Sequence, residues 1–95
     1  MYEACLAYEL RKRKLAVTTR MKVPIVYDGN EIEPPLRLDL VVGDSIIVEV
    51  KSAEKHLAVF EAQLLTYLKL SGLRLGYLIN FNVPLIREGI KRLAL

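Results

Sequence analysis

Asp39, Glu49 and Lys51 stand inside runs that are otherwise rich in Val, Ile and Leu, "RLDLVV" and "IIVEVKS", separated by Gly43, Asp44 and Ser45. If the two runs form a hairpin centred on Asp44, facing residues have numbers summing to 88, which sets Asp39 opposite Glu49. Directly opposed side chains in an antiparallel pair have Cβ atoms about 4.5–5.5 Å apart, and like charges there destabilise the sheet. A proton, a neighbouring cation or a bound metal would each relieve the repulsion. Two converging carboxylates with room for water make an oxygen-rich site suited to Mg²⁺ or Mn²⁺, hard ions that bind substrate phosphates. Lys51 follows Glu49 by two residues on the same face, where its ammonium can meet an attacking water or a developing phosphate charge. That combination suits metal-assisted phosphodiester hydrolysis. The plain alternative is a salt-bridged cluster of Arg37, Asp39, Glu49 and Lys51 at a sheet end.

The elements that must position these groups can be read from periodicity. Alternation along the hairpin puts Leu38, Leu40, Val42, Ile46, Val48 and Val50 on one apolar face and the charged residues on the other. Residues 53–71 predict a long helix, with Ser52 as N-cap and Gly72 as stop. Its packing stripe is Leu57, Phe60, Leu64, Leu65 and Leu68, while Gln63 and Tyr67, four apart, share a neighbouring face. Gln63 could fix a nucleotide or a water, and the Tyr67 hydroxyl could donate to a phosphate. The bland reading of that pair is a half-buried polar seam, and His56 reads as a surface or supporting residue.

Upstream, residues 2–14 predict an amphipathic helix packing through Tyr2, Cys5, Leu6 and Leu10, with Tyr8 near the same stripe. Arg11, Lys12, Arg13 and Lys14 complete its last turn, where cations suit the helix dipole and could also meet phosphates. Residues 15–27 predict a strand with Pro24 at an edge or bulge. "DGN" at 28–30 is a turn, after which residues 31–33 pair back briefly before Pro34 and Pro35 interrupt. Residues 74–81 and 89–95 predict two further strands. The order is that of an α/β or α+β sheet flanked by helices.

With 95 residues the chain has room for one domain and not two. Its 53% hydrophobic and 26% charged residues exclude a disordered chain. No apolar stretch is long enough to span a bilayer, and the N-terminal charges follow the apolar residues instead of preceding them, unlike a secretory signal. The single Cys5 reads as packing and fits a reducing cytoplasm. The net charge of +3 is divided, at +4 over residues 1–22, −5 over 23–50 and +4 over 51–95. Basic flanks would attract a polyanion that the acidic middle accepts only with cations. Zinc clusters, glycine-rich phosphate loops and serine nucleophile elbows find no support.

With Asp39, Glu49-Val-Lys51 and Gln63-x-x-x-Tyr67 in place, the chain resembles the PD-(D/E)XK nuclease superfamily, and within it the small prokaryotic family of GxxExxY proteins. The resemblance runs through "YEACLAYELRKRKL", "RLDLVVGDSIIVEVKS" and, most specifically, "EAQLLTYLKLSGLRLGYLINFNVPLIREGIKRL". It implies a restriction-endonuclease-like αβββαβ core whose mixed central sheet is flanked by helices. It also implies Asp39 and Glu49 as ligands of Mg²⁺ or Mn²⁺, Lys51 as the residue assisting hydrolysis, and Gln63 and Tyr67 as supporting groups. DNA or RNA would be the substrate. Tyr2 corresponds to the last residue of the motif that names the family, so the motif's Gly and Glu would lie before Met1. The expectation is therefore a single domain over 1–95, shortened at its N-terminus, with Glu3 as a stand-in for the first-helix Glu. Apolar surface uncovered by the lost helical turns would favour a homodimer. Two other readings stay open: a catalytically silent nucleic-acid-binding or protein-interaction module, and a structural subunit of an assembly.

Overall fold

β-branched runs and four positive-φ turn residues organise the centre of the chain. The computed structural model describes all 95 residues. Strand β1 (Val17–Tyr27) turns at Asp28 and Gly29, both at positive φ, into β2 (Asn30–Val42), which turns through Gly43 and Asp44 into β3 (Ile46–Lys51). Strand β4 (Leu75–Asn80) lies parallel to β3, and β5 (Ile90–Ala94) closes the sheet antiparallel to β4 after one 3-10 turn, Ile86–Gly89. The sheet order follows the chain, β1-β2-β3-β4-β5, so only the β3 to β4 step needs a crossover. A helix supplies it.

The two helices cover opposite faces. α2 (Ala58–Ser71) buries Leu64 and Leu68 against Val41, Ile47 and Leu78, with Phe60, Leu65 and Tyr67 packed around them. α1 (Tyr2–Lys12) brings Ala7 onto Leu40 and Val48, flanked by Leu6, Val42, Ile46, Val50 and Ile79. The expected αβββαβ order with a mixed sheet is thus the observed one. No helix is long and apolar enough to cross a membrane.

Four details differ from the sequence expectation. The buried stripe of α1 is Leu6, Ala7 and Leu10, with Cys5 exposed, because the small Ala7 lets the helix approach the sheet and turns the neighbouring position outward. Pro34 and Pro35 do not interrupt the chain; β2 runs through them. The register shifts between Val23 and Ile25, so that Glu33, Pro34 and Pro35 face only Pro24 and the missing N–H groups cost no ladder bond. α2 starts at Ala58 with an extended Leu57 before it, so Ser52 is no cap and Leu57 is exposed. Leu38 packs with Val41 and Ile47 and not with Leu40, because β1 and β2 lose one pair at Arg20 and Asp39, where Arg20 takes a left-handed φ of 53°. The local twist there carries Met21, Val23, Leu36 and Leu38 to the α2 side.

Candidate active site

The hairpin register is the symmetric one about Asp44: Leu40, Val41 and Val42 pair with Val48, Ile47 and Ile46. The next step would pair Asp39 with Glu49, and there the backbone ladder stops. The Asp39 N–H donates to Glu49 Oε1 at 3.1 Å, and the Val50 N–H donates to Asp39 Oδ2 at 2.9 Å. Each carboxylate takes the place that a backbone carbonyl of the facing strand would fill. The strands fork around the two acids, and one oxygen of each, Asp39 Oδ1 and Glu49 Oε2, is left without a backbone partner.

Glu49 is 4% exposed. Burial, and after it the negative charge of Asp39, pushes its pKa from 4.5 up to about 8; the Asp39 N–H and the Lys51 ammonium oppose the shift without cancelling it. Lys51 does not pair with either acid. Its Nζ donates to Gln63 Oε1 at 2.9 Å and lies 5.0 Å from the centroid of the Phe60 ring. Beside it opens a cavity of about 390 Å³ along α2, lined by Lys51, Phe60, Gln63 and Thr66 among others. Tyr67, one turn beyond Gln63, has its phenol raised above the usual value by burial first and then by the charges of Glu49 and Asp39. It stays a neutral hydroxyl donor.

The structure therefore gathers Asp39, Glu49, Lys51, Gln63 and Tyr67 at the carboxyl end of β3. Arg11, Lys12, Arg13 and Lys14 it does not bring there: the Gly43 N–H donates to the Ala16 carbonyl, which places the basic run near the hairpin turn, and the Arg11 guanidinium donates to the Val17 carbonyl. Glu3 lines a separate cavity with Arg11, Thr19 and Arg20. No third carboxylate, histidine or cysteine joins the Asp39 and Glu49 pair in a metal-binding cluster. His56, in the exposed segment before α2, pairs with Glu61 on the helix's first turn.

Sequence reasoning missed Asn80. Buried at the end of β4 and paired in register with Lys51, it accepts from the Ala53 and Asn82 N–H groups through Oδ1 and donates to the Ala53 carbonyl through Nδ2. It fixes the chain leaving Lys51. A polar amide closing the alternating strand "LGYLIN" was the available signal. Gly89 packs so closely on this strand end that a Cβ there would lie 2.0 Å from the Asn80 carbonyl oxygen. Asn80→Ala is expected to lower stability by about 2 kcal/mol, since it strands both Ala53 backbone groups. Urea unfolding reads the loss, and limited proteolysis should find the 52–57 segment newly open.

A divalent cation fits the forked acids on their own chemistry. They are hard oxygen donors, each with a backbone-free oxygen, and no ammonium is in contact with either. A mixed sheet sandwiched by two helices, with an Asp and a Glu-x-Lys at the divergence of two strands, is nuclease-like architecture. The chain belongs to the PD-(D/E)XK nuclease superfamily, whose family model matches residues 1–93. No curated protein and no solved structure matches it.

Proposed function

We propose that this domain is a metal-dependent nuclease that hydrolyses phosphodiester bonds of DNA or RNA, with Asp39 and Glu49 holding Mg²⁺ or Mn²⁺. The observation that carries the reading is the cross-insertion of the two carboxylates between β2 and β3. It costs the protein a buried acid and two ladder bonds, and it leaves one oxygen of each carboxylate without a backbone donor. Bound there, the cation supplies Lewis-acid stabilisation of phosphate charge. Lys51, steadied by Gln63 and Phe60, presents a further cation to the developing charge or to the attacking water, and Tyr67 offers a neutral O–H to a phosphate oxygen. Within the superfamily, the stretches around Tyr2, Gln63 and Tyr67 support membership of the GxxExxY family. A cytoplasmic location suits the lone, exposed Cys5. A homodimer suits the open apolar groove lined by Leu6, Leu10, Ile46, Tyr77, Ile79 and Ile90.

That only two acids converge favours one second reading, a domain that binds nucleic acid without cutting it. Calorimetric titration of Mn²⁺ separates the two. One site is expected, with affinity rising about tenfold per pH unit between pH 6 and 8, because the cation must displace the proton that folded Glu49 keeps up to about 8. Binding that is absent, or indifferent to both pH and Asp39→Ala, would leave the non-cutting reading.

A further inference from the structure

The β1–β2 hairpin reaches far past the rest of the sheet. β2 pairs with β3 only from Leu40 to Val42, whereas it pairs with β1 back to Asn30, so the nine residues beyond Asp39 form a two-stranded ribbon. At about 3.3 Å per residue it projects roughly 30 Å from the forked acids. One side of its base, Met21, Val23, Leu36 and Leu38, packs against the α2 core. The other side carries Lys22 and Arg37, which are exposed and directly opposite each other in the ladder.

Two cations facing each other across a ladder destabilise the pair unless an anion lies between them. None is supplied from within: the ion pairs of the molecule converge on Glu61, and neither Lys22 nor Arg37 has a carboxylate within 4.0 Å. Arg20 adds a third unpaired cation at the left-handed kink facing Asp39, diagonal to Arg37. It also lines the 330 Å³ cavity that leads on to Arg11. Along the backbone Arg37 is about 7 Å from Asp39, with its side chain on the face opposite the α2 cluster.

We propose that Lys22 and Arg37, with Arg20 beside them, form a phosphate-contacting strip on the α1 face of the ribbon, across the sheet from Lys51 and Gln63, that guides a nucleic-acid strand up to the fork of Asp39 and Glu49. The proposal rests on the nucleic-acid reading of the site. The strip is separate from the basic run Arg11–Lys14 that the sequence suggested. No carboxylate lies within 4.0 Å of the strip's cations, as suits a surface built for a polyanion.

The test is fluorescence anisotropy of labelled single-stranded DNA and RNA oligomers of about 20 nucleotides, in EDTA so that no cleavage is needed, across roughly 50–200 mM salt. Relative to wild type, Lys22→Gln/Arg37→Gln is expected to bind about tenfold more weakly at the low-salt end and to lose about 1.4 from the slope of log K against log salt, the share of two phosphate contacts on a single strand. An unchanged slope overturns the proposal, as does a wild type that binds neither oligomer or that releases them fully to polyglutamate at equal charge. Lys22→Glu controls for folding, because it creates a cross-strand ion pair with Arg37. It should bind more weakly while its Tm holds or rises, and a loss of binding together with a lower Tm counts against the strip. Since the readout needs no metal, a protein that cuts but keeps its slope refutes the strip alone. One that never cuts but loses slope refutes the nuclease reading alone.

Discussion

Asp39→Ala should abolish metal-dependent cleavage, with a loss of at least about 10³-fold, the equivalent of roughly 4 kcal/mol of charge stabilisation. Two effects combine in that variant. On the proposed site the metal would lose one of two protein ligands, and the Val50 N–H loses its acceptor at 2.9 Å, so the fork itself is free to change. Asp39→Asn separates them, because its amide oxygen can still accept from Val50 while the charge is gone. Both variants should be inactive in a Mn²⁺-dependent assay on labelled DNA and RNA, but only the alanine variant should lose stability, by about 1–2 kcal/mol in urea unfolding. Equal cleavage by wild type and Asp39→Asn would remove Asp39 from the reaction.

Glu49→Gln is expected to act in opposite directions on activity and on stability. The glutamine carbonyl can keep the Asp39 N–H contact, and its amide can face the Asp39 carboxylate where the acid placed a repelling charge. Folded Glu49 titrates at about 8 against an ordinary 4.5, so the folded state holds the proton more tightly than the unfolded one. Stability in the absence of metal is then full below pH 4.5 and falls as pH rises towards 8. By pH 7 the loss amounts to roughly 3 kcal/mol at 1.36 kcal/mol per pH unit. The glutamine variant escapes it. Its advantage over wild type in EDTA should be near zero at pH 4.5 and grow to that size at pH 7, while Mn²⁺-dependent cleavage is lost. A wild type whose unfolding free energy is flat over that range would show that Glu49 is not held protonated by its surroundings.

Local pattern was enough to locate the hairpin that carries the site. The alternation around Asp44 gave three ladder pairs as they stand, and Gly72 ends α2 in the left-handed conformation that its type favours. The i, i+4 spacing put Gln63 and Tyr67 on one face of α2, and in the structure Gln63 on that face meets Lys51. What could not be read this way depends on partners distant in the chain. The start of α2 is delayed to Ala58 because Asn80, 27 residues later, ties down Ala53. The change of face at Leu38 depends on a backbone kink at Arg20 in the neighbouring strand. The fork is a third case: residues opposed by register meet through side chain and backbone, because each carboxylate outcompetes a carbonyl for the facing N–H. Periodicity says which face a residue takes, but not when a side chain will replace the ladder.

The two acids of the fork are not equivalent as structural members. Asp39 serves the Val50 N–H at a half-buried position, whereas Glu49 is buried at a cost to the metal-free protein. Under selection for folding alone, drift would keep the first and exchange the second for glutamine. Glu49, more than Asp39, is therefore the position at which a lineage that had given up its chemistry would register the fact.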